Sequence, residues 1–320
     1  MGSDPLSGRD LGRRLRERDR SAAAPALNLI ETRTAEAREQ TVALLAEVSP
    51  AALGGEAPAH VVGITGPPGA GKSTLLSALV KEWRSRGKTV AVLAVDPSSK
   101  RSGGSLLGDR ARIDHDSRDD GILIRSTAAG TMLGGLAPPT REAAQALAAA
   151  FDTVVVETVG VGQSETDVAD LCDTVAVIVQ PGSGDVLQFL KAGIMEVPDV
   201  LVVTKADLED IARRAQRDLA AALRAVGARD TPVVAVSSIP PPSGIDKLAD
   251  ALDAHRAGAD VGASRVRARR LAALAEFTLE RGESAVRDLG GRRAAEKLLA
   301  EFDPAMPVAE LVRELERRLP

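Results

Sequence analysis

The run Gly66-Pro67-Pro68-Gly69-Ala70-Gly71-Lys72-Ser73-Thr74 combines three glycines, a lysine and two hydroxyls in nine residues. It follows an apolar, β-branched run and opens a helical pattern. That is the context in which a glycine-rich loop turns its backbone N–H groups toward phosphates. Lys72 has the reach for β- and γ-phosphates, and the Ser73 hydroxyl is a ligand type suited to Mg²⁺. Gly66, Pro68, Gly69, Ala70, Gly71, Lys72, Ser73 and Thr74 are therefore the expected phosphate site of a nucleoside triphosphate. Further acids close later strands: Asp96 ends Val92-Leu93-Ala94-Val95, and Glu157 ends Thr153-Val154-Val155-Val156. Both are candidate Mg²⁺ ligands. Gly160, three residues after Glu157, is placed to offer its N–H to a γ-phosphate. Between them the charged, glycine-rich stretch Lys100–Arg110 reads as a segment closing over the nucleotide, with Asp109 a further metal ligand.

Thr204-Lys205-Ala206-Asp207 closes another strand, where a base-reading loop belongs. It is like the Asn-Lys-x-Asp element of G proteins, whose carboxylate accepts guanine N1–H and N2–H₂ while the lysine stem covers the ring. Adenine offers neither donor there, so Asp207 selects GTP over ATP. Thr204 stands where asparagine is usual, and the sequence leads one to expect loss of the amide tie between this loop and the phosphate loop. Ser237-Ser238, at the next strand end, suits a backbone contact to guanine O6.

The elements that position these residues follow from the apolar pattern. Short continuous runs at Val61–Thr65, Val90–Val95, Ile122–Arg125, Thr153–Glu157, Thr174–Gln180, Val200–Thr204 and Val233–Ser237 read as strands buried on both faces. Helical patterns separate them, for example Ser73–Arg86, Arg141–Ala150, Leu208–Val226 and Ile245–His255. This alternation predicts an α/β, doubly wound, mostly parallel sheet whose ligands bind beyond the carboxyl ends of the strands. Residues 1–58 are expected to be a helical extension, with one amphipathic helix running from Pro25 to near Pro50. Residues 59–258 form the nucleotide domain. Residues 259–320 give three helices, Ser264–Arg281, Gly291–Phe302 and Val308–Leu319.

Composition excludes other classes. The chain has 320 residues, 44% of them hydrophobic, with 41 Lys+Arg against 45 Asp+Glu and a net charge of −4. That balance supplies no field for nucleic acid. With no Tyr, four Phe and one Trp, there is no platform for stacking bases. One cysteine and three scattered histidines (His60, His115 and His255) argue against a disulfide scaffold and against a Cys/His metal centre, and they suit a reducing, cytoplasmic setting. No apolar run approaches the roughly 18 residues of a membrane span.

Asp96-Pro97-Ser98-Ser99, Gly103-Gly104-Ser105-Leu106-Leu107-Gly108-Asp109-Arg110 and Glu157-Thr158-Val159-Gly160-Val161-Gly162-Gln163-Ser164-Glu165 together resemble the MeaB/ArgK-type P-loop G proteins. Pro181-Gly182-Ser183-Gly184-Asp185 and Gly193-Ile194-Met195-Glu196 extend the likeness across nearly the whole chain. The resemblance implies a slow GTPase chaperone of adenosylcobalamin-dependent acyl-CoA mutases of the methylmalonyl-CoA mutase type. It would gate cofactor loading and removal of damaged cobalamin, the cobalamin being the partner's own. It implies a homodimer made through the C-terminal arm, and GTP/GDP with Mg²⁺ held by Ser73, Asp96, Asp109 and Glu157. It also implies a further moving segment at Gly182–Lys191, with Lys191 as a signalling residue toward the partner. No cis water-positioning glutamine is evident, so Arg110 or Arg101 is the candidate to move in on partner binding. Two other readings of the same phosphate loop stay open, a kinase or ATPase and a nickel-insertion GTPase.

Overall fold

The structure is a computed structural model that describes residues 7–96, 113–128, 138–158, 164–182 and 198–319. The chain folds into two compact units.

The first unit comprises residues 1–59, 141–150 and 260–320. Its N-terminal segment holds α1 (Gly8–Arg16), a 3₁₀ turn (Arg20–Ala22), α2 (Ala23–Glu31), α3 (Ala35–Glu47) and α4 (Pro50–Leu53). The single helix expected between Pro25 and Pro50 is thus two. Thr34 makes the break, because its hydroxyl accepts the Ala37 N–H and caps α3. Helices α1 and α3 cross closely through two glycines. A Cβ at Gly8 would sit 1.9 Å from the Gln40 carbonyl oxygen, and one at Gly12 would sit 2.5 Å from that of Leu44. At the C-terminal end α10 (Val261–Asp288), α11 (Arg292–Glu301) and α12 (Val308–Arg317) close on a core of Leu274, Phe277, Leu299, Leu311 and Leu315. Non-helical backbone at Gly282 kinks α10.

The middle piece of this unit belongs to α6 (Pro138–Ala150), the crossover helix between two strands of the sheet. Arg38 of α3 donates to Glu142 of α6 and to Glu276 of α10. Burial pushes both carboxyls above their ordinary range, against the pull of Arg38.

The second unit, residues 60–140 and 151–259, carries the sheet. Its strands are β1 (His60–Thr65), β2 (Val90–Asp96), β3 (Ile122–Ala128), β4 (Thr153–Thr158), β5 (Thr174–Val179), β6 (Val200–Val203) and β7 (Val233–Ala235). Among the described residues they form one sheet in the order β3-β2-β4-β1-β5-β6-β7, and every neighbouring pair is parallel. The continuous apolar runs have the cause expected. Every residue of β1, β4, β5 and β6 is buried, with helices α5 (Lys72–Ser85), α7 (Ser164–Leu171), α8 (Asp210–Ala225) and α9 (Ile245–Gly258) supplied by the intervening chain. Trp83 of α5 is fully buried in a core cluster with Leu76, Leu79 and Val80.

An aspartate precedes each of β4, β5 and β6, and each carboxylate accepts a backbone N–H at the start of the neighbouring strand. Asp152 takes Thr89 N at 2.8 Å, Asp173 takes Val61 N at 2.9 Å and Asp199 takes Val175 N at 2.8 Å. A parallel ladder leaves such N–H groups short of partners at its amino edge, and these carboxylates supply them.

Candidate functional site

The carboxyl ends of β1, β4 and β6 bring together most of the residues singled out by motif. Strand β1 ends at Thr65, and the loop from Gly66 to Gly71 leads directly into α5. Gly66 holds φ 147°, and a Cβ there would meet the Ile178 carbonyl oxygen at 2.5 Å. Only glycine lets the loop leave the sheet so close to β5. The Lys72 side chain, 7% exposed, folds back to donate to the Gly66 and Pro67 carbonyls at 2.7 and 3.0 Å. The ammonium thus lies inside the curve of the loop, where phosphate oxygens can replace those carbonyls.

Glu157, the second-to-last residue of β4, is buried, and its Oε1 lies 3.5 Å from Ser73 Oγ at the start of α5. Thr65 and Thr158, the last residues of β1 and β4, are buried with side-chain hydroxyls that have no hydrogen-bond partner among the described residues. The Glu157 carboxylate and the Ser73 hydroxyl are hard oxygen donors, which suit hydrated Mg²⁺ and not a soft metal. Asp96 closes β2, two strands from the phosphate loop in the order β2-β4-β1. Asp109, Arg110, Gly160 and Lys191 lie outside the described residues, as do Arg101 and most of both segments expected to move.

At the base-reading end the structure replaces an expected loss with a substitute. Thr204 is buried, and its hydroxyl donates to the Ala70 carbonyl oxygen at 2.9 Å, so the tie to the phosphate loop exists without the usual amide. Lys205 then takes left-handed backbone, φ 53° and ψ 44°. That is a costly conformation for a lysine, retained where surrounding bonds fix it. Those bonds include Thr204 N to Val179 O at 3.1 Å and Ala206 N to Val236 O at 3.0 Å. Asp207 is exposed, in a 3₁₀ turn. Ser237 donates its hydroxyl to Asp207 Oδ1 at 2.8 Å, which fixes the carboxylate's direction. The motif alone assigns Ser237 and Ser238 a backbone role and does not show this contact. Ser237 is itself pinned by reciprocal backbone bonds with Ser243, at 3.0 and 2.9 Å. Thr65, by contrast, carries no motif signal, and Thr158 lies in the run from Glu157 to Glu165 with no role of its own assigned there.

Among the described residues no group of three His, Cys, Asp or Glu side chains is placed to hold a metal ion. No described helix is long and apolar enough to cross a membrane. Cys172 is half-buried, and desolvation drives its thiol well above the ordinary range.

Comparison with known proteins fits this geometry. A probable GTPase of Mycobacterium tuberculosis is 39% identical over 301 residues, covering 92% of this chain and 88% of the relative. A GTPase-named protein of Pyrococcus abyssi is 47% identical over 201 residues, but the match spans only 62% of this chain and 60% of that protein. The mitochondrial methylmalonic aciduria type A homolog of Caenorhabditis elegans is 42% identical over 215 residues, 64% of this chain and 54% of its own length. Among solved structures, a LAO/AO transport system kinase superposes with TM-score 0.68 at 26% identity, covering 99% of both chains. HypB from Helicobacter pylori, solved with nickel, shares the fold alone, with TM-score 0.50 at 18% identity over 67% of this chain and 94% of its own. A family model described as methylmalonyl-CoA mutase-associated GTPase MeaB matches residues 23–288. With phosphate loop, acidic strand ends and Lys-x-Asp turn arrayed along one edge of a parallel sheet, this chain belongs to the MeaB family.

Proposed function

We propose that this protein binds and hydrolyses GTP, and that its nucleotide state gates cofactor loading and protection of an adenosylcobalamin-dependent acyl-CoA mutase. The observation that carries the nucleotide reading is the tied pair of loops. Thr204 joins the Asp207 turn to Ala70 of the phosphate loop, and Ser237 aims the Asp207 carboxylate. Guanine matches that carboxylate with two N–H donors, whereas adenine leaves it unmet. Support for the partner comes from the family description and from the methylmalonic aciduria homologs among the relatives.

In the proposed cycle the incoming β- and γ-phosphates displace the Gly66 and Pro67 carbonyls from Lys72. Loop amides and the amino end of α5 then face the charge that develops as water attacks the γ-phosphate. Ser73 and Glu157 would hold Mg²⁺, with Asp96 and Asp109 completing its surroundings, and the ion would supply charge neutralisation to the phosphates. Gly160 N–H would contact the γ-phosphate, Arg110 would enter on partner binding, and Lys191 would signal to the partner. A homodimer in the cytoplasm, acting on protein and not on nucleic acid or membrane, completes the reading.

Calorimetric titration with GDP, a non-hydrolysable GTP analogue and their adenine counterparts tests the base. Guanine binding without adenine binding is expected, while equal adenine binding would favour a kinase or ATPase. Cofactor transfer to a methylmalonyl-CoA mutase, measured with GTP and with GDP, tests the gating. A transfer rate indifferent to the nucleotide overturns it.

A further inference from the structure

At the opposite edge of the sheet from the nucleotide site lies a partly buried polar chain that the proposed GTPase cycle does not use. His60, the first residue of β1, is 2% exposed. Its Nε2 lies 2.8 Å from Thr174 Oγ1, at the first residue of β5. The same oxygen lies 3.0 Å from His255 Nδ1, near the end of α9. His255 Nε2 in turn lies 3.1 Å from Asp199 Oδ1, and Asp199 Oδ2 is already committed to Val175 N.

On the far side, His60 Nδ1 faces Asp253 Oδ1 of α9 at 3.7 Å. Lys88 donates to that carboxylate at 2.9 and 2.7 Å, and Arg86 stands 3.9 Å from it. Asp173 and Arg256 are the remaining charges that act on His60.

Proton counting restricts this chain. Thr174 has one hydroxyl hydrogen and stands between two ring nitrogens, so one nitrogen accepts it and the other must donate an N–H. With both rings neutral, His60 Nε2–H donates to Thr174, Thr174 donates to His255 Nδ1, and His255 Nε2–H donates to Asp199. One more proton on His60 Nδ1 would leave these directions unchanged but charge the buried ring, whereas on His255 it reverses the bonds through Thr174. His255, now imidazolium, donates Nδ1–H to Thr174 and Nε2–H to Asp199. Thr174 then donates to His60 Nε2, and the His60 proton sits on Nδ1, toward Asp253. A second added proton would set N–H donors on both sides of Thr174, leaving its hydroxyl hydrogen without an acceptor. It would also place two cations on one oxygen, beside Arg256.

We propose that His60, Thr174 and His255 form a relay that takes up one proton and only one, the Thr174 hydroxyl reversing direction as it does. The relay joins the end of α9 to the starts of β1 and β5 in either proton state. Burial disfavours charge on His60, which is 2% exposed, and pushes its ring below the ordinary range.

Histidine ring ¹⁵N spectra of the full chain from pH 8 to pH 5 test this. The chain has only three histidines. His115, whose Nδ1 faces the Ile113 carbonyl outside this cluster, is the internal reference. The expected result is a single midpoint shared by two events: His255 becomes imidazolium, and neutral His60 changes from the Nε2–H to the Nδ1–H tautomer. Separate midpoints, two imidazolium rings, or a His60 tautomer that never changes would each overturn the relay. Thr174→Val keeps the β-branched shape, and it should uncouple the rings so that His60 no longer changes tautomer with His255. Coupling that survives this change refutes the role of Thr174. Should that variant not fold, the wild-type spectra decide alone.

Discussion

Replacing Thr204 with valine isolates the tie between base reading and phosphate binding. Valine keeps the volume and the β-branch, so the change removes one hydroxyl and little else. The lost bond is the 2.9 Å contact from Thr204 Oγ1 to the Ala70 carbonyl, and both residues are buried. An unmet buried acceptor costs about 1–3 kcal/mol, which sets the expected fall in folding stability. The effect on binding has a different origin. In the wild type the bond holds the Lys205–Asp207 turn in place before nucleotide arrives, including the left-handed Lys205 backbone. Without it, binding must fix the Lys205 backbone anew, at roughly 1–2 kcal/mol for that one residue, or about a 5- to 30-fold weaker Kd for GDP. Thr204→Ser keeps the donor and Thr204→Asn restores the usual amide, so both should bind within a few-fold of wild type. Calorimetry of all three with GDP and ADP is the assay. A Thr204→Val protein that is folded and binds GDP within twofold of wild type would refute the argument, because the tie would then organise nothing.

Gly12→Ala should cost about 1–3 kcal/mol of unfolding free energy, since its Cβ would lie 2.5 Å from the Leu44 carbonyl and the α1–α3 crossing must open; chemical denaturation measures it. Asp152→Ala strips an acceptor from Thr89 N and Thr89 Oγ1 together, and about 1–3 kcal/mol should be lost in the same experiment. His60 and Lys88 hold the Asp253 carboxyl at about 2, below its ordinary 3.8. Its folded pKa is lowered, so its stabilisation is present above the ordinary value and disappears as pH falls through about 2. Asp253→Asn should therefore cost about 1 kcal/mol at pH 7, after allowance for screening of this partly exposed group, and almost nothing near pH 2. Lys72→Ala should abolish binding of the GTP analogue while leaving Tm within a few degrees, as the ammonium donates to carbonyls of the phosphate loop itself and not to another element.

What the sequence discloses, and what it hides, follows from the range of the interactions involved. The strands are legible because a parallel sheet buried on both faces demands unbroken β-branched runs, such as Thr153-Val154-Val155-Val156 in β4. The phosphate loop is legible because its glycines, lysine and serine are contiguous. The split between α2 and α3 is marked by Thr34, a good cap, but continuous apolar spacing on both sides masks it. The hydroxyl of Thr204 as a stand-in for an amide requires knowing that Ala70, 134 residues away, presents its carbonyl. Ser237 aiming Asp207 and the two spare hydroxyls of Thr65 and Thr158 are likewise products of strand order, which residue spacing does not encode.

The three-segment helical unit has a consequence for how the chain is made. Arg38 leaves the ribosome early, yet its two carboxylate partners follow 104 and 238 residues later. Helices α1 to α3 can meet one another at once, through Gly8 and Gly12. The unit they belong to cannot close until the whole sheet has been synthesised and α10 has followed it. Such late closure of distant contacts is slow, and it leaves apolar helix faces waiting in the meantime. Biosynthesis of this protein thus has a built-in interval, running from the emergence of α3 to that of Glu276, in which its amino-terminal helices are the part most in need of protection.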